Sequence, residues 1–227
     1  MTYSNIKKKL LIEYDKDGIA SSYPSITDYE MCTFLDKAYY ALIEQKLTGN
    51  NPRKVGFEGD NKAIEDIRPL IVTDYINKVS EHTAVQNDAI YQLPVDFMYY
   101  VSSRMLVGIT TEPDETFNIA PMKLITHDIA DKFMCTSTNK PWVATPVCYM
   151  EDDKLITLVD PVLHIPGNVL LTYIKQFHKF VDSGGNTKFE LSDSMAEELI
   201  NLAIIFIAEN VESPRLTSKI NTRPLES

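Results

Sequence analysis

The chain of 227 residues is 44% hydrophobic and 24% charged, which is typical of a globular protein with a substantial buried core. Its formal net charge of −10 argues against tight binding to the outside of a nucleic acid, because such binding needs a basic surface. Its apolar runs are much shorter than the roughly 20 residues of a membrane-spanning helix, and no signal-peptide core follows the lysines near the N-terminus. We therefore expect a protein that stays in the cytosol, without membrane partners.

Helices are predicted in the first third of the chain. A short helix capped by Ser4 comes first. The next helix is indicated by a capping box of Thr27 and Glu30, followed by apolar residues at helical spacing, and we expect it to end at Gly49. A third, short helix is predicted over residues 62–70.

The middle of the chain is predicted to be rich in β-strands. Residues 98–109 contain several β-branched and aromatic residues, which favour a strand. Residues 118–124 form a second candidate, and Pro121 places it at a sheet edge because proline cannot donate a backbone hydrogen bond. Strands at 154–159 and 169–177, separated by the loop DPVLHIPG, are predicted to pair as antiparallel neighbours.

Residues 189–215 are predicted to form one long helix with clear ends. Ser192 and Ser194 are both candidate N-caps, and Glu197 lies three residues after Ser194, where it would complete a capping box. The helix is expected to end near Arg215, whose positive charge suits the negative end of the helix dipole.

The middle of this helix is apolar without interruption over residues 202–208. An amphipathic helix has a polar side, whereas this segment must be covered on every side. Either it is the central helix of the core, or a neighbouring subunit supplies part of the cover. Ile204, Ile205 and Phe206 are therefore candidate interface residues.

The order of elements predicts an α+β fold, with a helical bundle, a mixed and mostly antiparallel β section and a long C-terminal helix. A doubly wound α/β fold is not expected, because strands and helices do not alternate along the chain. We predict an N-terminal arm over residues 1–24, a single α+β domain over residues 25–215 and a C-terminal tail over residues 216–227.

The sequence contains no persuasive pattern for catalysis, a metal or a cofactor. It lacks a GxGxxG motif, a Walker loop and a GxSxG motif, and none of its four histidines has the spacing of a zinc site. The cysteines Cys32, Cys135 and Cys148 are odd in number and far apart, which suits a reducing compartment. The acidic run 151–153 is interpreted as a solvated hairpin turn. We expect no enzymatic activity and no cofactor.

Two further features bear on contacts with other molecules. Trp142 is the only tryptophan, and it is interpreted either as a packing anchor or as an interface anchor. Arg215 and Arg223, at the end of the last helix and in the tail, are further candidate interface residues, because the tail is either disordered or laid along a partner.

Several segments, taken together, resemble the head–tail connector (adaptor) proteins of short-tailed phages. They are the helix MCTFLDKAYYALIEQKL, then IEDIRPL, then LPVDF leading into a strand, and the β section through KPW and LITLVDP. The closing segment FELSDSMAEELINLAIIFIAENVESPR is the most specific part and resembles the adaptor rings of crAss-like phages. The resemblance covers about residues 25–215.

The resemblance implies a structural virion protein that assembles in the host bacterial cytoplasm as a ring of twelve copies beneath the portal. Its implied partners are the portal protein, the adjacent tail ring proteins and double-stranded DNA, which passes through the lumen without sequence-specific contact. Three alternatives stay open: another tail ring such as a stopper or tail completion protein, a soluble acidic binding protein, and an enzyme whose site is assembled from distant residues.

Overall fold

The computed structural model describes residues 1–16, 26–48, 61–81, 88–109, 118–130, 141–142, 144–158, 164–182 and 187–210. Most of the helical residues lie before and after a section that forms two β-sheets, which confirms the predicted α+β class. The named helices are α1 (Tyr3–Lys16), α2 (Asp28–Thr48), α3 (Asn61–Ile67) and α4 (Asp193–Asn210). A 3-10 turn (Arg68–Leu70) follows α3, and residues 127–130 are helical as well. The strands are β1 (Ile71–Ile76), β2 (Lys78–Glu81), β3 (Asp88–Gln92), β4 (Phe97–Ile109), β5 (Asn118–Pro121), β6 (Lys123–Leu124), β7 (Val147–Glu151), β8 (Lys154–Leu158) and β9 (His164–Lys175).

The chain divides into two compact units. The helical unit consists of Met1–Leu70 and Phe177–Ser227, and the β unit consists of Ile71–Gln176. The predicted domain limits, between residues 24 and 25 and between 215 and 216, lie outside the described residues and stay predictions.

Helix α2 begins with the predicted capping box. The Glu30 backbone N–H donates to Thr27 Oγ1 at 3.3 Å, and the Thr27 backbone N–H donates to Glu30 Oε2 at 2.8 Å. Each side chain thus satisfies a donor that the first helical turn leaves without a partner. The Thr27 backbone N–H and the Thr27 hydroxyl, which donates to Glu30 Oε2 at 2.7 Å, both lower the pKa of the Glu30 carboxyl. The predicted capping box is confirmed.

Helix α1 is capped two residues earlier than predicted. The Asn5 backbone N–H donates to Thr2 Oγ1 at 3.3 Å, and the helix begins at Tyr3. The predicted cap at Ser4 was therefore wrong, because Ser4 lies within the first turn. The start of the chain is held in place by a short antiparallel pairing, in which the Tyr3 N–H donates to the Thr187 carbonyl at 3.1 Å.

Helix α4 uses only one of its two candidate caps. The Met195 backbone N–H donates to Ser192 Oγ at 3.2 Å, and the helix begins at Asp193. Ser194 lies inside the helix, so the capping box predicted between Ser194 and Glu197 was wrong. The Glu197 carboxylate instead accepts a hydrogen bond from the ammonium of Lys9 on α1.

The two serines give a matched test of this assignment. We expect Ser192→Ala to lower the free energy of unfolding by about 1 kcal/mol, the usual cost of deleting an N-cap oxygen. Ser194→Ala should change it by less than about 0.5 kcal/mol, as is usual for a surface substitution that breaks no specific contact. Urea denaturation followed by circular dichroism measures both values, and a larger loss for Ser194→Ala would contradict the assignment.

Aromatic side chains build much of the core of the helical unit. The ring of Tyr39, on α2, stacks on Phe177 with centroids 3.8 Å apart, and the ring of Tyr3 meets Phe180 edge to face at 4.7 Å. Phe189 lies 5.3 Å from Tyr39. The segment that precedes α4 therefore supplies rings to the core as well as a cap.

The β unit contains two sheets. The four-stranded sheet has the order β1-β9-β4-β5 and is antiparallel throughout. The five-stranded sheet has the order β2-β3-β8-β7-β6, and only its β6–β7 pair is parallel. Both sheets contribute to one hydrophobic cluster, because inward side chains such as Met105 and Leu171 of one sheet join Tyr91 and Leu155 of the other. The β unit is therefore two sheets around a shared core.

Two predictions about strand pairing have different outcomes. Pro121 ends β5, which is an edge strand of the four-stranded sheet. This edge position was predicted because proline lacks a backbone N–H. The predicted pairing of the strands near 154–159 and 169–177 was wrong, because β8 pairs with β3 and β7, whereas β9 pairs with β1 and β4. Strand β9 has 12 residues, and its longest pairing partner is the 13-residue strand β4.

Candidate interaction surfaces

The apolar middle of α4 is largely covered within the chain itself. Five of its seven residues are buried: Leu202, Ala203, Ile204, Ile207 and Ala208. Helices α1 and α2 both pack against α4, which explains how a helix without a polar side is accommodated. The interpretation as a core helix therefore holds for most of this segment.

Ile205 and Phe206 are the two residues of the segment that stay half-buried. Helical spacing places Ile205 in a line with Asn201, which is half-buried, and with Glu209, which is exposed. The Nζ atom of Lys37 lies 4.6 Å from the centroid of the Phe206 ring, a cation–π distance. Of the three candidate interface residues on this helix, Ile204 is therefore a core residue, whereas Ile205 and Phe206 retain accessible apolar surface.

Trp142 also presents apolar surface to solvent. Its side chain is 56% exposed, and its carbonyl accepts a hydrogen bond from the Thr145 N–H at 2.9 Å. This bond lies just before β7. Arg215 and Arg223, the remaining candidate interface residues, lie outside the described residues.

A buried ion cluster in the helical unit was missed by the sequence analysis. The Lys46 ammonium on α2 lies 3.0 Å from Asp66 Oδ2 on α3 and 3.3 Å from Glu198 Oε2 on α4. The Lys46 side chain is only 2% exposed, and the two carboxylates are 11% and 12% exposed. The buried Lys46 ammonium therefore links three helices through two ion pairs.

The sequence did contain one sign of this cluster. Lys46 follows Leu35, Tyr39 and Leu42 on the buried side of α2, at a position where an apolar residue would be expected. A lysine at such a position needs partners, because a buried charge is stable only when it is paired. The partners could not be predicted, because Asp66 and Glu198 lie on other helices.

The environment of the cluster shifts the pKa of one of its carboxyl groups, that of Glu198. Burial raises the pKa of the Glu198 carboxyl, and the charge of Asp66 acts in the same direction, while Lys46 and Lys62 oppose the change. Because the folded-state pKa is raised, the folded protein binds this proton at a higher pH than the unfolded protein does. The contribution of Glu198 to stability therefore rises as the pH falls through the raised pKa, and becomes constant below the ordinary pKa of glutamate.

Glu198→Gln tests this linkage. We expect the wild-type protein to gain more stability than the variant when the pH is lowered across the range between the ordinary and the raised pKa of Glu198. The measurement is the free energy of unfolding by urea at a series of pH values. Glu197→Gln, which removes an exposed carboxylate one residue earlier, controls for the general loss of charge. Identical slopes for wild type and Glu198→Gln would contradict the assignment.

Two of the cysteines occupy buried positions, and the acidic run 151–153 spans the β7–β8 turn. Cys32 and Cys148 are buried, and burial raises the pKa of both thiols, which disfavours the reactive thiolate. In the β7–β8 turn, Asp153 accepts a hydrogen bond from Gln92 at 2.6 Å. Within the described ranges, no three His, Cys, Asp or Glu side chains are grouped so that they could hold a metal ion. Cys135 lies outside those ranges.

No helix among the described residues has both the length and the apolar character needed to cross a membrane. Comparison with protein-family models and with curated proteins returned no match for this chain.

Proposed function

We propose that this chain is a structural virion protein that forms a ring of the head–tail connector beneath the portal. The observation that carries the proposal is the apolar surface that one copy leaves accessible at Trp142, Ile205 and Phe206. Tryptophan and phenylalanine that remain accessible in one chain are typical anchors of protein interfaces. The resemblance of residues 25–215 to adaptor rings supports the same function.

Ring assembly gives these side chains a physical role. In a closed ring every copy makes a heterologous contact with two neighbours, so that two different surfaces of each copy become buried. Ile205 and Phe206 would complete the cover of α4 in such a contact, and Trp142 would fill a pocket on an adjoining protein. The portal and the adjacent tail rings would be the further partners.

The net charge of −10 suits a conduit for double-stranded DNA. A negative wall repels phosphates, so a duplex can move past it with few attractive contacts. The DNA would therefore pass through the lumen without sequence-specific recognition. Assembly would take place in the cytoplasm of the bacterial host.

A reconstruction of the intact particle tests the proposal. We expect twelve copies of this chain in a ring that contacts the portal directly. A position lower in the tail would assign the chain to a stopper or tail completion ring instead, and absence of the chain from the particle would refute a virion role. Mixing the purified chain with portal protein, followed by light scattering, provides a second measurement, because some connectors assemble only when the portal is present.

A further inference from the structure

The outer face of the four-stranded sheet carries a row of side chains across all four strands that is apolar except for one arginine. In the antiparallel register Tyr75 lies opposite Leu170, Leu170 opposite Arg104, and Arg104 opposite Pro121. Residues opposite each other in a sheet share a face, so these four side chains lie side by side. The next pair, Leu106 and Ile119, extends the row at one end. We name these six residues the outer-sheet patch.

This patch lies on the face away from the core. The neighbouring positions Met105, Ala120, Val169 and Leu171 point inward and belong to the hydrophobic cluster between the two sheets. Side chains alternate between the two faces of a strand, so the patch points outward. The side chains of Tyr75 and Ile119 are each 62% exposed, and those of Leu106 and Leu170 are half-buried.

The patch has a polar border on one side. Thr73, Thr172 and Ser102 form the adjacent row on the same face, and Thr73 and Thr172 share a hydrogen bond of 3.1 Å between their hydroxyls. If solvent covered this whole face, the row beside the polar one would be expected to be polar as well. A bounded cluster of exposed apolar side chains beside such a row is typical of an interaction surface.

Arg104 indicates the chemistry of the partner. It is exposed in the middle of the patch, and no carboxylate in the described part of the chain pairs with it. A protein that covers the patch must therefore supply a carboxylate, because a guanidinium buried without a partner is costly. A single arginine among apolar side chains is not the basic surface that a nucleic acid requires.

A second copy of this chain has the complementary chemistry. The chain has 32 acidic and 22 basic residues, so its own surface is rich in carboxylates. On α4, the accessible apolar side chains Ile205 and Phe206 lie within one turn of Glu209, which is exposed. Apolar side chains beside an exposed carboxylate match an apolar row that contains one arginine.

We infer that the outer-sheet patch is a contact surface for a second copy of this chain, in which Arg104 pairs with a carboxylate of the neighbour. The contact is made face to face, through side chains that point out of the plane of the sheet. This inference deepens the proposed function and rests on it, since it supplies one of the two different surfaces that a ring requires.

Site-specific photo-cross-linking tests the inference. A benzophenone amino acid replaces Ile119, and a control protein carries it at Val79, which is 64% exposed on the other sheet. Cross-linking is carried out with the purified chain at rising concentration and in intact particles, and the products are identified by mass spectrometry. We expect position 119 to give at least about tenfold more cross-link to a second copy than position 79.

Charge reversal provides the second readout. Arg104→Glu should lower the yield of this cross-link by about tenfold because the neighbour's carboxylate is then repelled, while Val79→Glu should leave it unchanged. Cross-links from position 119 to a different protein, or no excess over position 79 in either preparation, would overturn the inference. Cross-links between copies in solution, with the chain missing from particles, would leave the contact standing and remove the virion role.

Discussion

Replacing Lys46 with methionine is expected to lower the free energy of unfolding by about 3–5 kcal/mol, the usual cost of removing one partner from a buried ion pair. The methionine fills a similar volume, so the loss comes from the charges and not from a cavity. Asp66 and Glu198 would remain close together at low exposure without the cation between them. Chemical denaturation at neutral pH measures the change, which would be a large part of the stability of an ordinary domain.

Two control variants separate this electrostatic effect from a general loss of charge. Lys9→Met removes the partner of Glu197 in an exposed ion pair and should cost less than about 1 kcal/mol. The triple variant Lys46→Met, Asp66→Asn, Glu198→Gln should recover a large part of the stability, because no buried charge is then left without a partner. An equal loss for Lys46→Met and Lys9→Met would contradict the assigned role of the cluster.

Ile204→Asp should prevent the chain from folding, whereas Ile205→Asp should leave it folded and block its assembly. Ile204 has no solvent exposure, so aspartate there forfeits about 1.5–3 kcal/mol of apolar burial and also places an unpaired charge in the core. At the half-buried Ile205 the carboxylate can reach water, so the fold should tolerate the charge. Circular dichroism measures folding, and light scattering with portal protein measures assembly.

The neighbouring substitutions are useful because they differ by one position on the same helix. Ile205→Val, which keeps an apolar side chain, should both fold and assemble, and it serves as the control for shape. If Ile205→Asp assembled as well as the wild type, the half-buried side of α4 would not be an interface. If Ile204→Asp remained folded, the core assignment of the apolar segment would be wrong.

Local signals predicted many of the elements, because they act within a few residues. The Thr27–Glu30 capping box marked the start of α2, and the β-branched and aromatic run at 98–109 marked β4. Where two local signals competed, the sequence did not resolve them. Ser192 and Ser194 are both good caps by type, and only the position of the first helical turn distinguishes them.

The candidate surfaces were less predictable from the sequence than the helices and strands, because they depend on tertiary structure. The apolar run in α4 predicted that the segment needed cover, but the run itself does not say which residues α1 and α2 leave accessible. Likewise, Tyr75 and Leu170 are far apart in sequence and become neighbours only through the register of β1 and β9. The outer-sheet patch therefore has no sequence signature of its own.

The sequence by itself determined the α+β class, the start of α2, the edge position of Pro121 and the need to bury the middle of α4, because caps, prolines and periodicity are properties of short segments. Only the tertiary structure decided that β9 pairs with β4 instead of β8, that Lys46 is enclosed by two carboxylates and that Ile205 stays half-buried while Ile204 does not. These features depend on contacts between residues distant in the chain, whose free energy no local pattern records.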